Sequence, residues 1–82
     1  MSTVLVLGAD GELVARALEQ AGDGGGVIVL DPSAGALEAL ERAVRDPRVW
    51  YQIGDASVVP LPDRSVDDVL GAASPDVERV LR

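Results

Sequence analysis

Three short groups of residues carry the types that could hold a ligand: Gly8-Ala9-Asp10-Gly11, Asp31, and Gly54-Asp55-Ala56. Each follows an apolar, β-prone run, namely Val4-Leu5-Val6-Leu7, Val27-Ile28-Val29-Leu30 and Val49-Trp50-Tyr51-Gln52-Ile53. A parallel sheet collects the carboxyl ends of its strands along one edge. A glycine turn and two carboxylates on that edge suit a nucleotide-type pocket.

Each group also has an ordinary structural use. Gly8-x-x-Gly11 lets backbone approach a ligand with no Cβ in the way, and free N–H groups of a following helix favour an anion or polar head group. Any tight strand-to-helix turn wants glycine too. Asp31 stands where a carboxylate accepts from both hydroxyls of an adenosine ribose, a little over twenty residues beyond the glycine turn. It could equally open a helix with favourable charge against the dipole. Asp55 could accept from an adenine amino group while the Ala56 N–H donates to a ring nitrogen, or it could merely form a turn with Ser57.

The elements that must position these groups follow from periodicity. Residues 3–7 and 27–30 read as strands buried on both faces. Residues 11–21 place Leu13, Val14, Ala17, Leu18 and Ala21 on one helical face. Gly22-Asp23-Gly24-Gly25-Gly26 ends that helix and is the most flexible stretch expected. Asp31-Pro32-Ser33 opens a second helix with Ser33 as its cap and Leu37, Leu40 and Val44 at helical spacing, and Asp46-Pro47 ends it. Residues 48–53 form a third strand and Val66-Asp67-Asp68-Val69-Leu70 a fourth. Ser74-Pro75-Asp76 has the cap, first-turn proline and first-turn acid of a last helix, with Val77, Val80 and Leu81 as its apolar face. The order β-α-β-α-β-β-α implies parallel strands joined by right-handed crossovers, in one domain with no repeat or linker.

Composition narrows the function. A chain of 82 residues is one small domain, burying only about 60–65% of its unfolded surface. At 48% hydrophobic it has material for a core, built from Val, Leu, Ile and Ala because Trp50 and Tyr51 are its only aromatics. Without Cys or His, thiolate or imidazole catalysis and the usual zinc ligand sets are excluded. A net charge of −7 disfavours nucleic acid as a partner. No apolar run approaches the roughly 20 residues of a membrane span, and the N-terminus lacks a signal-peptide pattern, so a cytoplasmic protein is expected. Trp50 is expected in the core or as lid of an adenine cleft, with Tyr51 facing the other way. Glu38, Glu41, Asp63, Asp67, Asp68, Asp76 and Glu78 read as solvated surface, and Arg42, Arg45, Arg48 and Arg64 as scattered. Asp67 and Asp68, adjacent on a strand, point to opposite faces and cannot act as an acid/base pair.

These residues resemble the class I S-adenosylmethionine-dependent methyltransferases. The likeness runs through Val4 to Leu13, through Val29-Leu30-Asp31-Pro32-Ser33 with Ala36-Leu37-Glu38, and through Gly54-Asp55-Ala56 to Leu61-Pro62-Asp63-Arg64-Ser65-Val66-Asp67-Asp68-Val69-Leu70. It covers essentially the whole chain but only about the first half of a family domain. It implies an α/β, Rossmann-like three-layer fold with a short, mainly parallel sheet in the order 3-2-1-4 and flanking helices. It also implies S-adenosylmethionine as cofactor, with the turn Gly8, Ala9, Asp10 and Gly11 at its methionine end, Asp31 and Pro32 at the ribose, and Asp55 and Ala56 at the adenine. The chain departs from the family in lacking an acid on the first strand and the G-x-G-x-G turn. The fifth to seventh strands also have no counterpart, which would leave the fourth strand a bare edge and the last helix little sheet to rest on.

The resulting expectation is a truncated methyltransferase-like half-domain that binds S-adenosylmethionine or S-adenosylhomocysteine, with no catalytic residue of its own and no metal. A homodimer, or a partner chain, would cover the fourth-strand edge. The alternative is a ligand-free interaction or dimerisation module. A dinucleotide-binding fragment is a third reading, but the Tyr-x-x-x-Lys pair of extended Rossmann reductases is missing and the chain has no Lys.

Overall fold

The computed structural model describes residues 2–71 and 75–82. Four strands, β1 (Thr3–Leu7), β2 (Gly26–Asp31), β3 (Val49–Ile53) and β4 (Asp68–Gly71), form one parallel sheet in the order β3-β2-β1-β4. Helices α1 (Gly11–Ala21) and α2 (Ala34–Val44) pack on one face, and α3 (Pro75–Val80) with the β3–β4 loop on the other. This is the three-layer α/β arrangement and strand order that the sequence implied.

Alternation along the strands builds two cores. Val4, Val6, Val27, Val29 and Val49 point to the first face and meet Val14, Ala17 and Ala21 of α1 and Leu37 and Leu40 of α2. Leu5, Leu7 and Leu30 point to the second face and meet Val59, Val66, Val77 and Val80. The side chains of β1 are thus buried on both sides, as its unbroken apolar run requires.

The helix ends follow local chemistry. Asp10 caps α1, and Gly22, at φ +73°, closes it by donating to the Leu18 carbonyl. Ser33 caps α2 through the Ala36 N–H. That helix stops at Val44, before the expected Asp46-Pro47, because Arg45 takes the left-handed conformation (φ +47°) that glycine usually supplies. The glycine run is anchored: the Gly26 N–H donates to the Ser2 carbonyl, and Arg48 reaches the Gly22 carbonyl while pairing with Asp46. Arg48 is therefore a staple between the α1–β2 turn and β3, not a scattered charge.

Four further expectations need correction. The fourth strand begins at Asp68, not Val66; Val66 instead bridges to Leu81, its N–H on the Val80 carbonyl and its carbonyl accepting from Arg82. Asp67 brackets the start of β1, its N–H on the Thr3 carbonyl and its carboxylate on the Thr3 N–H, and this marks where the chain joins the sheet. The last helix does have a surface to rest on, since the β3–β4 loop folds over β1 and buries Val77 and Val80 beneath it. Ser74, its expected cap, lies outside the described residues.

Trp50 is neither core nor lid. It is 59% exposed, because the second-face cover centres on β1 and stops short of β3. Its indole lies over Gly26, at the amino end of β2, where an added Cβ would come within 2.5 Å of the ring.

Asp76 is not a free surface acid. It accepts from the Val59 N–H at 2.6 Å and pairs with Arg79.

Candidate functional site

The carboxyl edge of the sheet brings the three sequence groups together around Asp31. One carboxylate oxygen of Asp31 accepts from the Ala9 N–H at 2.9 Å, and the other from the Ser33 N–H at 2.7 Å. Its carbonyl accepts from the Gly54 N–H at 3.1 Å. A single residue thus ties the β1 turn, the start of α2 and the end of β3. A carboxylate has about four lone-pair sites, so both oxygens retain capacity for further donors such as hydroxyls.

The glycine turn is shaped by Gly8, at φ +111°, whose N–H donates to the Leu30 carbonyl at 2.8 Å. An added Cβ there would meet nothing within 4 Å, so the space over the turn is open. The helix beyond does not offer the free donors expected of it. The Asp10 side chain accepts from the Glu12 and Leu13 N–H groups at 2.9 and 3.4 Å, and its carbonyl accepts from Val14. The anion at the α1 N-terminus is the chain's own Asp10 carboxylate.

Asp55 and Ala56 follow β3. The Asp55 carboxylate accepts from the Ser57 N–H at 2.9 Å, and this bond, with the Ser57 hydroxyl, holds its pKa below the usual carboxylate range. The Asp55 carbonyl accepts from Val58, closing a turn. Ala56 is half-buried against the second core, while Pro32 and Gly11 are exposed. Among the described residues no cluster of acids could hold a metal ion.

Sequence reasoning missed the device that holds the loop following Asp55. The Arg79 guanidinium donates to the Val59 and Leu61 carbonyls and to Asp63 and Asp76, at 2.7 to 3.0 Å. Arg79 in turn holds the Asp76 carboxyl down at about 2, helped by the Val59 N–H. The available signal was Asp76-x-x-Arg79, one helical turn apart at a proline-started helix.

An open, parallel α/β sheet with a glycine turn after β1 and an acid after β2 defines a Rossmann-like nucleotide-type fold. The chain belongs to the methyltransferase domain family, whose profile matches residues 5–81. It is 39% identical over 90 residues to uncharacterized methyltransferases of Mycobacterium tuberculosis and Mycobacterium bovis. That alignment covers 96% of this chain and 35% of each relative, so the chain spans about a third of their length.

Solved structures agree on the fold. A SAM dependent methyltransferase from Aquifex aeolicus superposes with TM-score 0.78 at 17% identity, over 99% of this chain and 51% of that one. The complex between the Haloferax volcanii Trm112 methyltransferase activator and a protein described as a methyltransferase gives TM-score 0.78 at 24% identity, over 99% and 40%. No helix among the described residues is long and apolar enough to cross a membrane.

Proposed function

We propose that residues 1–82 form one methyltransferase-like half-domain that holds S-adenosylmethionine or S-adenosylhomocysteine at the carboxyl edge and does not catalyse transfer by itself. The observation that carries this reading is Asp31, which joins the three loops and keeps lone pairs for the ribose hydroxyls. The open space over Gly8 suits the methionine end, with Ala9, Asp10 and Gly11 beside it. Pro32 flanks the ribose, and Asp55 with Ala56 faces the adenine. The cofactor supplies an activated methyl group on a sulfonium. The chain's contribution is to bind and orient it, since methyl transfer depends on alignment with the acceptor.

The test is calorimetric titration with S-adenosylhomocysteine. Micromolar binding at one site per chain is expected, and no heat from folded protein overturns the reading. A second reading, an interaction module that has lost the ligand, draws on Asp10, which fills the helix N-terminus that a ligand would use. In either case the outer edge of β4, paired only to β1, invites a homodimer contact or a partner chain. The Haloferax neighbour, solved with an activator, gives a precedent for a partner.

A further inference from the structure

The sheet has a second open edge, and the two differ in kind. β4 is short, starts with an exposed acid and ends at Gly71 (φ +108°), features that make it a poorer template than β3 for an added strand of the same chain. β3 reads Val49-Trp50-Tyr51-Gln52-Ile53, four of its five residues of high β-propensity, with no charge and no proline. Trp50 and Ile53 on it are 59% and 57% exposed. Beside this edge lies a groove of about 600 Å³ whose walls include Glu38, Glu41, Arg42, Arg45, Val49 and Tyr51.

The backbone of β3 is set up for a partner strand. Its bonds to β2 involve the flanking groups of even residues, as the Arg48 carbonyl and the Gly54 N–H mark at either end. By alternation the N–H and C=O of Tyr51 point outward, with the Ile53 N–H and the Val49 carbonyl. An antiparallel copy centred on Tyr51 would exchange both Tyr51 bonds and add an Ile53-to-Val49 bond on each side. It would bring exposed Ile53 onto Val49 of the other copy.

The charges on α2 share that symmetry. The order Glu38, Glu41, Arg42, Arg45 inverts about its midpoint, so two antiparallel helices place Glu38 beside Arg45 and Glu41 beside Arg42. All four side chains are exposed, and none forms an ion pair with a described residue, although Glu38/Arg42 and Glu41/Arg45 have helix-pair spacing. These four side chains line the same groove as Tyr51, the central residue of the strand, so the charges and the strand edge lie side by side. The Tyr51 hydroxyl is itself buried with no hydrogen-bond partner among the described residues.

We infer that a second copy of this chain docks antiparallel on the β3 edge, about a two-fold axis at Tyr51, with the α2 charges pairing across it. This assigns the homodimer to β3 and leaves β4 for a partner chain, and it does not depend on cofactor binding.

Sedimentation velocity at micromolar protein tests it, with folding followed by circular dichroism. The wild-type chain should be a dimer. Arg42→Glu with Arg45→Glu should weaken it about tenfold or more, as should Glu38→Arg with Glu41→Arg, because four cross-axis pairs become like-charged. Mixing the two double variants should restore a dimer. A monomeric wild type overturns both this inference and the homodimer at β4. A dimer indifferent to both reversals overturns this inference alone and returns the contact to β4.

Discussion

The Ala9 amide donates to the Asp31 carboxylate at 2.9 Å, joining the ends of β1 and β2 across 22 residues of sequence. The same carboxylate starts α2 through Ser33. Fold and site thus share one side chain, and its removal should be felt in both. Asp31→Ala is expected to lower stability by about 1 to 3 kcal/mol, the range for losing hydrogen bonds to a charged acceptor. In urea titration the variant should remain two-state. It should give no heat with S-adenosylhomocysteine under conditions where it is fully folded, and retained affinity would remove Asp31 from the ribose site.

Gly8 should be harder to replace than the open space above it suggests. At φ +111° any side chain is strained regardless of room. Gly8→Ala should cost about 1 kcal/mol or more. Gly26→Ala meets first the indole of Trp50, which has solvent to swing into, and should cost less. A comparison of their melting temperatures checks the order.

Acid should loosen the second face. The Asp76 carboxyl is held at about 2 in the folded chain against an ordinary 3.8, chiefly by Arg79. A depressed pKa contributes stability that is complete above the unfolded value and lost as pH falls through the folded one. The melting temperature should therefore drop between about pH 4 and pH 2. Asp46 and Asp55 are also lowered and share part of that window. Asp76→Asn isolates the Asp76 share, because its melting curve should fall less steeply over the same range than that of the wild type. An identical slope would show that the Asp76–Arg79 pair contributes nothing in solution.

Val80 is fully buried on the second face, so α3 should behave as core. Val80→Ala removes two methylene equivalents and leaves a cavity, at a cost of about 2 kcal/mol. Denaturant unfolding measures it, and a change within error would mean that α3 is not docked in solution.

What the sequence disclosed followed the strength of local signals. β1 and α1 fall at the expected residues because an apolar run, the helical spacing over residues 11–21 and a stop at Gly22 all agree. The convergence of Asp31, the glycine turn and Gly54 on one edge was readable from strand ends alone. Trp50 was misplaced because its burial depends on how far a distant loop extends, and no local pattern encodes that. Val66 reads in sequence as the first residue of a strand running to Leu70, whereas its hydrogen bonds go to residues 80 and 82. Arg79 gives little local signal because its acceptors at Val59, Leu61 and Asp63 lie 16 to 20 residues away, and their positions exist only once the loop is folded.

The Arg79 clamp also bears on the order in which a growing chain can settle. Every fully buried residue of the first-face core lies at or before Val49, so β1, α1, β2, α2 and β3 hold most of what is needed to associate while later residues are still in the ribosomal tunnel. The second face cannot follow, because Val59 and Leu61 have no guanidinium to hold them until residue 79 has emerged. During that interval Leu5, Leu7 and Leu30 lie uncovered. A nascent chain that formed its first face in that interval would carry a one-sided sheet, with three leucines open to a chaperone.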